Sequence, residues 1–409
     1  MYVGPARTFV SERVRHSESL FRFICAGLDA KRDRNDRVEF PSTFSFIDAP
    51  EETIETLRAI ASASRKARGR EVYLDQSGCT QIDYGAEAAA YAVTQAAYEG
   101  LGVAYVGWMP ENDEQRKIAK ATGLPQMHRG VPPPRPGAFE TLGLQHGGKG
   151  EYFAYKSCEA EVMASRLTDY LSRCFQRYGR RLTIEAEEVL LDLFGEVMGN
   201  TEDHGRGDWW VGAYLHDRNG QYGDCHLAIL NFGRSIYETL QDLPANSSLR
   251  AELEKRARSH RGFFGNGYGE EQLWTLFAVQ DGVGRFFEEK KDRGRGLAVM
   301  VESFQTLGGI APDGTPPRRD GPILSVVSGR TALRFDQRHP LQKKMIRGAE
   351  RRVVALNDGN DLDRPPDSRN VRRLRAYFPG TVISLRFDID PEYLEQFAEA
   401  TGTHGETRN

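Results

Sequence analysis

The stretch HRGVPPPRPGAFETLGLQHGGKG, residues 128–150, limits the fold more than any other part of the chain. Its prolines hold the backbone extended and its glycines disfavour any regular element. It reads as a linker between domains or a long ordered loop, and it divides 409 residues that are too many for one ordinary core. The two parts differ in element order. Upstream of it, EFPSTFSFI (39–47) alternates like a strand and 50–69 has the spacing of an amphipathic helix ending at Gly69. A strand at 71–75, an Ala-rich helix at 84–100, a strand at 103–109 and a helix at 112–124 with Asn112 as N-cap follow. Strands alternating with helices of this length predict an α/β layer over 38–127, preceded by an N-terminal segment, 1–37.

Downstream, EYFAY (151–155) reads as a short strand, 157–179 as a long helix, and 183–205 as another, capped by Thr183 and closed by Gly205. Strands WWVGAYLHD and CHLAILNFG come next, then a polar Gly- and Arg-rich region to about residue 296. A helix GLAVMVESFQTLG, the strand pair ILSVVSG and TALRFD, and a final strand TVISLRFDI complete the order. Helices first and antiparallel-looking strands after them predict an α+β sandwich over 151–390, with a tail at 391–409. No internal repeat is present.

Composition excludes several classes. The chain is 39% hydrophobic and 28% charged, and no apolar run approaches the ~20 residues that span a bilayer. No membrane span is expected. The first residues lack a basic stretch followed by an apolar core, so no signal peptide is expected and the expected location is cytoplasmic. Five scattered cysteines form neither a CxxC pair nor a Cys/His cluster, which argues against a disulfide framework or a structural zinc. A net charge of −3 excludes a general polyanion binder.

The sharpest pattern lies in LLDLFGEVMGNTEDHG. Val189, Leu190, Leu193, Phe194, Val197 and Met198 recur at helical spacing and should face a sheet, while Glu196, Asn200 and His204 recur every four residues on an adjoining stripe. Such a stripe is often a solvated face. It also suits a Mg-nucleotide: a carboxamide oxygen is a hard ligand for Mg²⁺, and a carboxylate can orient or deprotonate an attacking water or hydroxyl.

Glu196-x3-Asn200-x3-His204-Gly205 resembles the N-box of GHKL ATPases, and its spacing is most similar to anti-sigma-factor kinases. LAILNFGRSI resembles the family's next box, in which Asp-x-Gly contacts adenine; here the positions are Asn231 and Gly233. DRGRGLAVMVESF resembles the Gly-x-Gly-Leu box that ends the mobile ATP lid, with Arg293, Gly294, Arg295, Gly296 and Leu297. FPGTVISLRF resembles the late strand whose Gly-Thr, here Gly380-Thr381, supports adenine through a water. The resemblance implies a Bergerat sandwich over 151–390, ATP and Mg²⁺ as cofactors, Asn200 on the metal and Glu196 as general base. The physical chemistry agrees: Gly294 and Gly296 permit close approach of backbone N–H groups to phosphate, the helix from Leu297 offers its positive end, and Arg293 and Arg295 add bidentate donors. Asn231 departs from the family's aspartate, and an amide either accepts or donates according to its flip. Residues 244–292 then read as an unusually long lid or, alternatively, as a structural insertion, with EQLWTLFAV as a helix.

The order over 38–127 resembles a STAS domain, but where that family has a phosphoacceptor Ser this chain has Tyr84, in Asp83-Tyr84-Gly85. Ser77 and Thr80 lie off register, and their hydroxyls belong to a turn. The unit is therefore expected to be an interaction or regulatory module. Residues 339–378 carry ten Lys and Arg against five Asp and Glu, with a helix-like first half; they read as a solvated insertion or, alternatively, a nucleic-acid patch. The leading expectation is an ATPase-driven switch acting on the STAS-like domain or another subunit, with a homodimer possible. A protein-serine kinase of the anti-sigma type and a non-catalytic nucleotide-binding scaffold are the alternatives.

Overall fold

A computed structural model describes residues 37–123, 140–148, 160–202, 208–218, 220, 222–263, 268–280, 296–307, 321–346 and 349–389. It is a mixed α/β structure with a parallel and an antiparallel sheet. The parallel sheet is small and has the order β1 (Arg37–Glu39), β3 (Glu71–Asp75), β5 (Ala104–Trp108); a second parallel pair joins β2 (Thr43–Phe44) to β4 (Gln81–Ile82). Pro41 falls between β1 and β2, which explains why the single strand expected over 39–47 is two: a ring nitrogen cannot donate to a ladder.

Three helices accompany these strands: α1 (Pro50–Lys66), α2 (Tyr84–Leu101) and α3 (Asp113–Thr122). Their starts were legible in the sequence. Asn112 Oδ1 accepts the Glu114 and Gln115 N–H groups, and Asp83 caps α2 through Ala86 N–H. Helix α2 is buried on nearly every side from Tyr84 to Ala97, and its seven buried alanines are the reason it can be. Methyl side chains let the helix lie close to a sheet on each flank, whereas an amphipathic helix would need solvent on one.

The antiparallel sheet runs β10 (Ile323–Phe335), β13 (Val371–Ile389), β9 (Tyr222–Phe232), β8 (Trp209–Arg218), β6 (Glu140–Thr141), with β7 (Gln145–Gly147) also on β8. Strands β6 and β7 come from the stretch expected to be a linker. Both faces of the sheet are covered, so its strands read as continuous apolar runs rather than alternating ones. One face, with Val211, Leu227, Ile229, Leu385 and Val326, packs on α4 (Ala160–Arg177), α5 (Ile184–Asn200) and α9 (Gly296–Leu307). The other, with Trp210, Leu230, Val327, Phe378 and Val382, packs on α1 and α2. The layers are thus small sheet, α1 and α2, large sheet, then α4, α5 and α9. No described helix is long and apolar enough to cross a membrane.

Within 233–296, expected as a polar region with one helix, the chain forms α6 (Ile236–Gln241), α7 (Ser248–His260) and α8 (Glu270–Ala278). Ser235 and Ser247 cap the first two. The strand pair expected at 323–336 is the single strand β10, with its register shifting around Gly329. The helix-like first half of 339–378 is instead a hairpin, β11 (Gln342–Ile346) with β12 (Ala349–Val353), and β13 begins ten residues before the strand expected at 381. The predicted strand 151–155 lies outside the described residues.

Polar contacts fasten the α1–α2 layer to the large sheet. Glu51 accepts the backbone N–H of Arg375 and Ala376 at 2.8 and 2.7 Å, and Asp48 pairs with Arg334 at 2.9 Å. Asp83 also accepts from Ile47 N–H and from Ser384 Oγ. Burial pushes the Asp83 carboxyl up, and pushes Glu87, also wholly buried and held by Gln76, up to about 7. Gly212 on β8 permits the closest approach: a Cβ there would lie 2.4 Å from Tyr84 Oη and 3.2 Å from Gly143 O.

Two outcomes are expected. Gly212→Ala should cost ~1–3 kcal/mol by overpacking this seam, against about 0.5 kcal/mol or less for Gly78→Ala, where a Cβ meets nothing within 4 Å; urea unfolding measures both. Glu87 binds its proton more tightly folded than unfolded, so stability falls as pH rises from the usual glutamate range to about 7 and then levels. Glu87→Gln should flatten that slope, a change on the order of 3 kcal/mol across the window, read from urea midpoints between pH 4.5 and 8.

Candidate functional site

Four side chains stand in one row across the large sheet, because its registers align Trp209 with Asn231, Asn231 with Thr381, and Thr381 with Ser328. The pleat sends all four to the face that α4, α5 and α9 cover, since the core residues on this face of β9 and β13 are the odd-numbered Leu227, Ile229, Ile383 and Leu385. Asn231 is 4% exposed, and its Oδ1 accepts the Thr381 N–H at 3.2 Å. The Thr381 and Ser328 hydroxyls lie 2.9 Å apart, while Ser328 Oγ also accepts the Ile236 N–H and donates to Gly380 O. Gly380 is obligatory here: its φ is +121°, and a Cβ would lie 2.1 Å from Asn231 O.

Helix α5 reaches the row with its carboxyl end. Thr183 starts it, accepting the Ala186 N–H, and Leu190, Leu193, Phe194, Val197 and Met198 form its buried stripe. Val189, expected on that stripe, is 44% exposed. Glu196 is half-buried and Asn200 exposed, as the fourfold spacing requires of a stripe beside the core-facing one. Past Asn200 the backbone turns wider, in π geometry at Thr201 and Glu202. Glu202 Oε1 then accepts the indole N–H of the fully buried Trp209 at 2.9 Å, tying the helix end to the row.

The predicted residues therefore separate into groups. Asn231, Gly233 and Thr381 are brought together: Gly233 N–H donates to Pro379 O, beside the Asn231–Thr381 pair. Glu196 and Asn200 lie on the helix that leads to this row. Gly296 opens α9 and Leu297 packs half-buried on the core next to it. His204, Arg293, Gly294 and Arg295 lie outside the described residues. Sequence reasoning missed Glu202, Trp209 and Ser328. Their only signals were an acid two residues after Asn200 and a Ser-Gly inside an apolar strand.

No group of three or more His, Cys, Asp or Glu poised for a metal occurs among the described residues. One carboxamide oxygen with no acidic cluster fits Mg²⁺ that arrives on a triphosphate and keeps its waters, not a resident ion. A cleft of about 630 Å³ opens elsewhere, at the carboxyl ends of β3 and β5, lined by Asp75, Ser77, Trp108 and Arg116. There Ser77 Oγ donates to Asp75 at 2.6 Å and serves the turn.

No protein-family model, no curated protein and no solved structure matches this chain.

Ser328→Ala should cost ~1–3 kcal/mol, because the part-buried Ile236 N–H loses its acceptor. Denaturant unfolding measures the loss, and faster hydrogen exchange at Ile236 locates it.

Proposed function

We propose that this chain binds a Mg²⁺-bound purine nucleoside triphosphate, ATP on its resemblance to GHKL ATPases, beside helix α5 on the helix-covered face of the large sheet. One observation carries the reading. The segments that resemble the adenine box and the late Gly-Thr strand lie 150 residues apart in sequence, yet Asn231 and Thr381 meet as a hydrogen-bonded cross-strand pair. Chance motif matches have no reason to converge on one face of one sheet. The element order also supports a Bergerat sandwich: two helices, a hairpin, the α6–α8 region, a helix, then two long strands.

In this reading Asn200 would hold the metal, and the metal would supply charge neutralisation for the β- and γ-phosphates. Glu196, one turn earlier, would orient and deprotonate the attacking group. The acceptor is water in preference to the chain's own STAS-like unit. Tyr84 is fully buried, packed against Gly212 on the face opposite the row, so the residue at the phosphoacceptor position cannot reach a γ-phosphate. A hydrolytic switch follows, with cytoplasmic action on a protein partner or on the attached α/β unit. Kinase activity toward a separate protein is the second reading, and the His204-Gly205 resemblance favours it.

Wild-type protein is expected to bind ATP in a Mg²⁺-dependent manner and to release phosphate. Glu196→Ala should keep binding and lose turnover ~10²-fold or more, and Asn200→Ala should lose the Mg²⁺-dependent part of binding. Calorimetry and a phosphate-release assay read these. Wild type that neither binds nor turns over any purine triphosphate ends the proposal; unchanged Mg²⁺-dependent binding by Asn200→Ala ends the metal assignment. Radiolabel transfer to a second protein in place of phosphate release selects the kinase reading.

A further inference from the structure

Asn231 is held in one amide orientation. The Thr381 backbone N–H, 3.2 Å from Oδ1, can only donate, so the atom facing it has to be the oxygen; a flipped amide would set two donors against each other. That leaves Nδ2 on the opposite side of the amide with two N–H groups, and it is not among the buried side-chain nitrogens left without a partner. Its neighbours in the row do not take those protons. Trp209 Nε1 is itself a donor and is spent on Glu202, and the Thr381 and Ser328 hydroxyls, 2.9 Å from each other, make no hydrogen bond to Nδ2. A donor turned this way and still open on one side suits an acceptor on a bound ligand.

If the site is the nucleotide site proposed above, the group that meets Asn231 is the edge of the base at carbon 6. Adenine carries an amino group there, a donor; guanine and hypoxanthine carry a carbonyl, an acceptor. An aspartate at this position would accept from the amino group. Asn231, turned as Thr381 turns it, donates. Adenine's ring nitrogens accept as well, but the amino group beside them then faces the same amide donor to donor. We propose that Asn231 makes this a 6-oxopurine site, with Nδ2 donating to O6, so that GTP and ITP are preferred over ATP.

The proposal rests on the nucleotide reading, and one experiment separates the two. Full-length protein is titrated calorimetrically with ATP, GTP and ITP in Mg²⁺, beside Asn231→Asp and Asn200→Ala. ITP lacks the 2-amino group of GTP and so isolates position 6. Wild type should bind ITP and GTP about tenfold tighter than ATP, or more. Asn231→Asp keeps an oxygen for the Thr381 N–H, replaces the donor with an acceptor, and should reverse the order. Wild type that binds ATP as tightly as ITP and GTP, with binding still weakened by Asn200→Ala, overturns the base preference and leaves the nucleotide site standing. Absence of binding by all three overturns both. The wild-type comparison decides the matter even if Asn231→Asp misfolds, which a thermal melt would reveal.

Discussion

Everything in this structure depends on burying helix α2 between two sheets. A helix flanked by solvent needs one apolar stripe; α2 needs apolar surface all round and little bulk, and its alanines meet both needs. Each methyl removed from water contributes about 0.8 kcal/mol, a modest amount repeated along the helix and gained twice, once against each sheet. The ion pairs at the seam, such as Asp48 with Arg334, contribute far less because their side chains stay a quarter to a third exposed. Apolar contact therefore decides that the layers join, and the polar contacts fix where. Glu87 is the cost of that arrangement, a carboxyl carried into the seam on a helix with no solvent side.

The row Trp209, Asn231, Thr381, Ser328 follows from the same sheet. Its members come from four strands, and only register brings them side by side. Because β13 lies between β9 and β10, it carries a site residue on one face, Thr381, and three positions later an anchor for the α/β unit on the other, Ser384 bonded to Asp83. A tilt of this strand caused by an occupied row would be felt directly at the α2 N-terminus. That route gives the proposed switch a physical path through one rigid element.

Much of this was legible in the sequence, and the rest was hidden for identifiable reasons. Helices α3 and α5 were marked by their caps and spacing, α2 by its alanine-rich run, and strands β3, β5, β8 and β9 by apolar runs. The first half of β13 was not, because VRRLRAYF looks like a solvated basic run until the acids of α1 are placed beside it. Burial and the Arg334 charge push the Arg372 guanidinium below its usual range, which is the mark of an arginine serving an interior seam. Strands β6 and β7 were masked by prolines and glycines around them. Of the proposed site, the placing of Glu196 and Asn200 on one helix stripe followed from spacing, whereas Glu202, Trp209 and Ser328 owe their places to pairings no local pattern encodes.

The position of β13 has a kinetic consequence. It is the last described element of the chain, yet it sits inside the large sheet, and its partners on the α1–α2 layer are 301 to 325 residues earlier. Contacts of that separation are slow to form, because a long loop must close before they reward it. During synthesis the α/β unit emerges first, with the Ala-rich helix covered on one flank only. The other flank is covered only as β8, β9 and finally β13 follow. Until those strands arrive, the uncovered flank of the Ala-rich helix is an apolar surface open to aggregation.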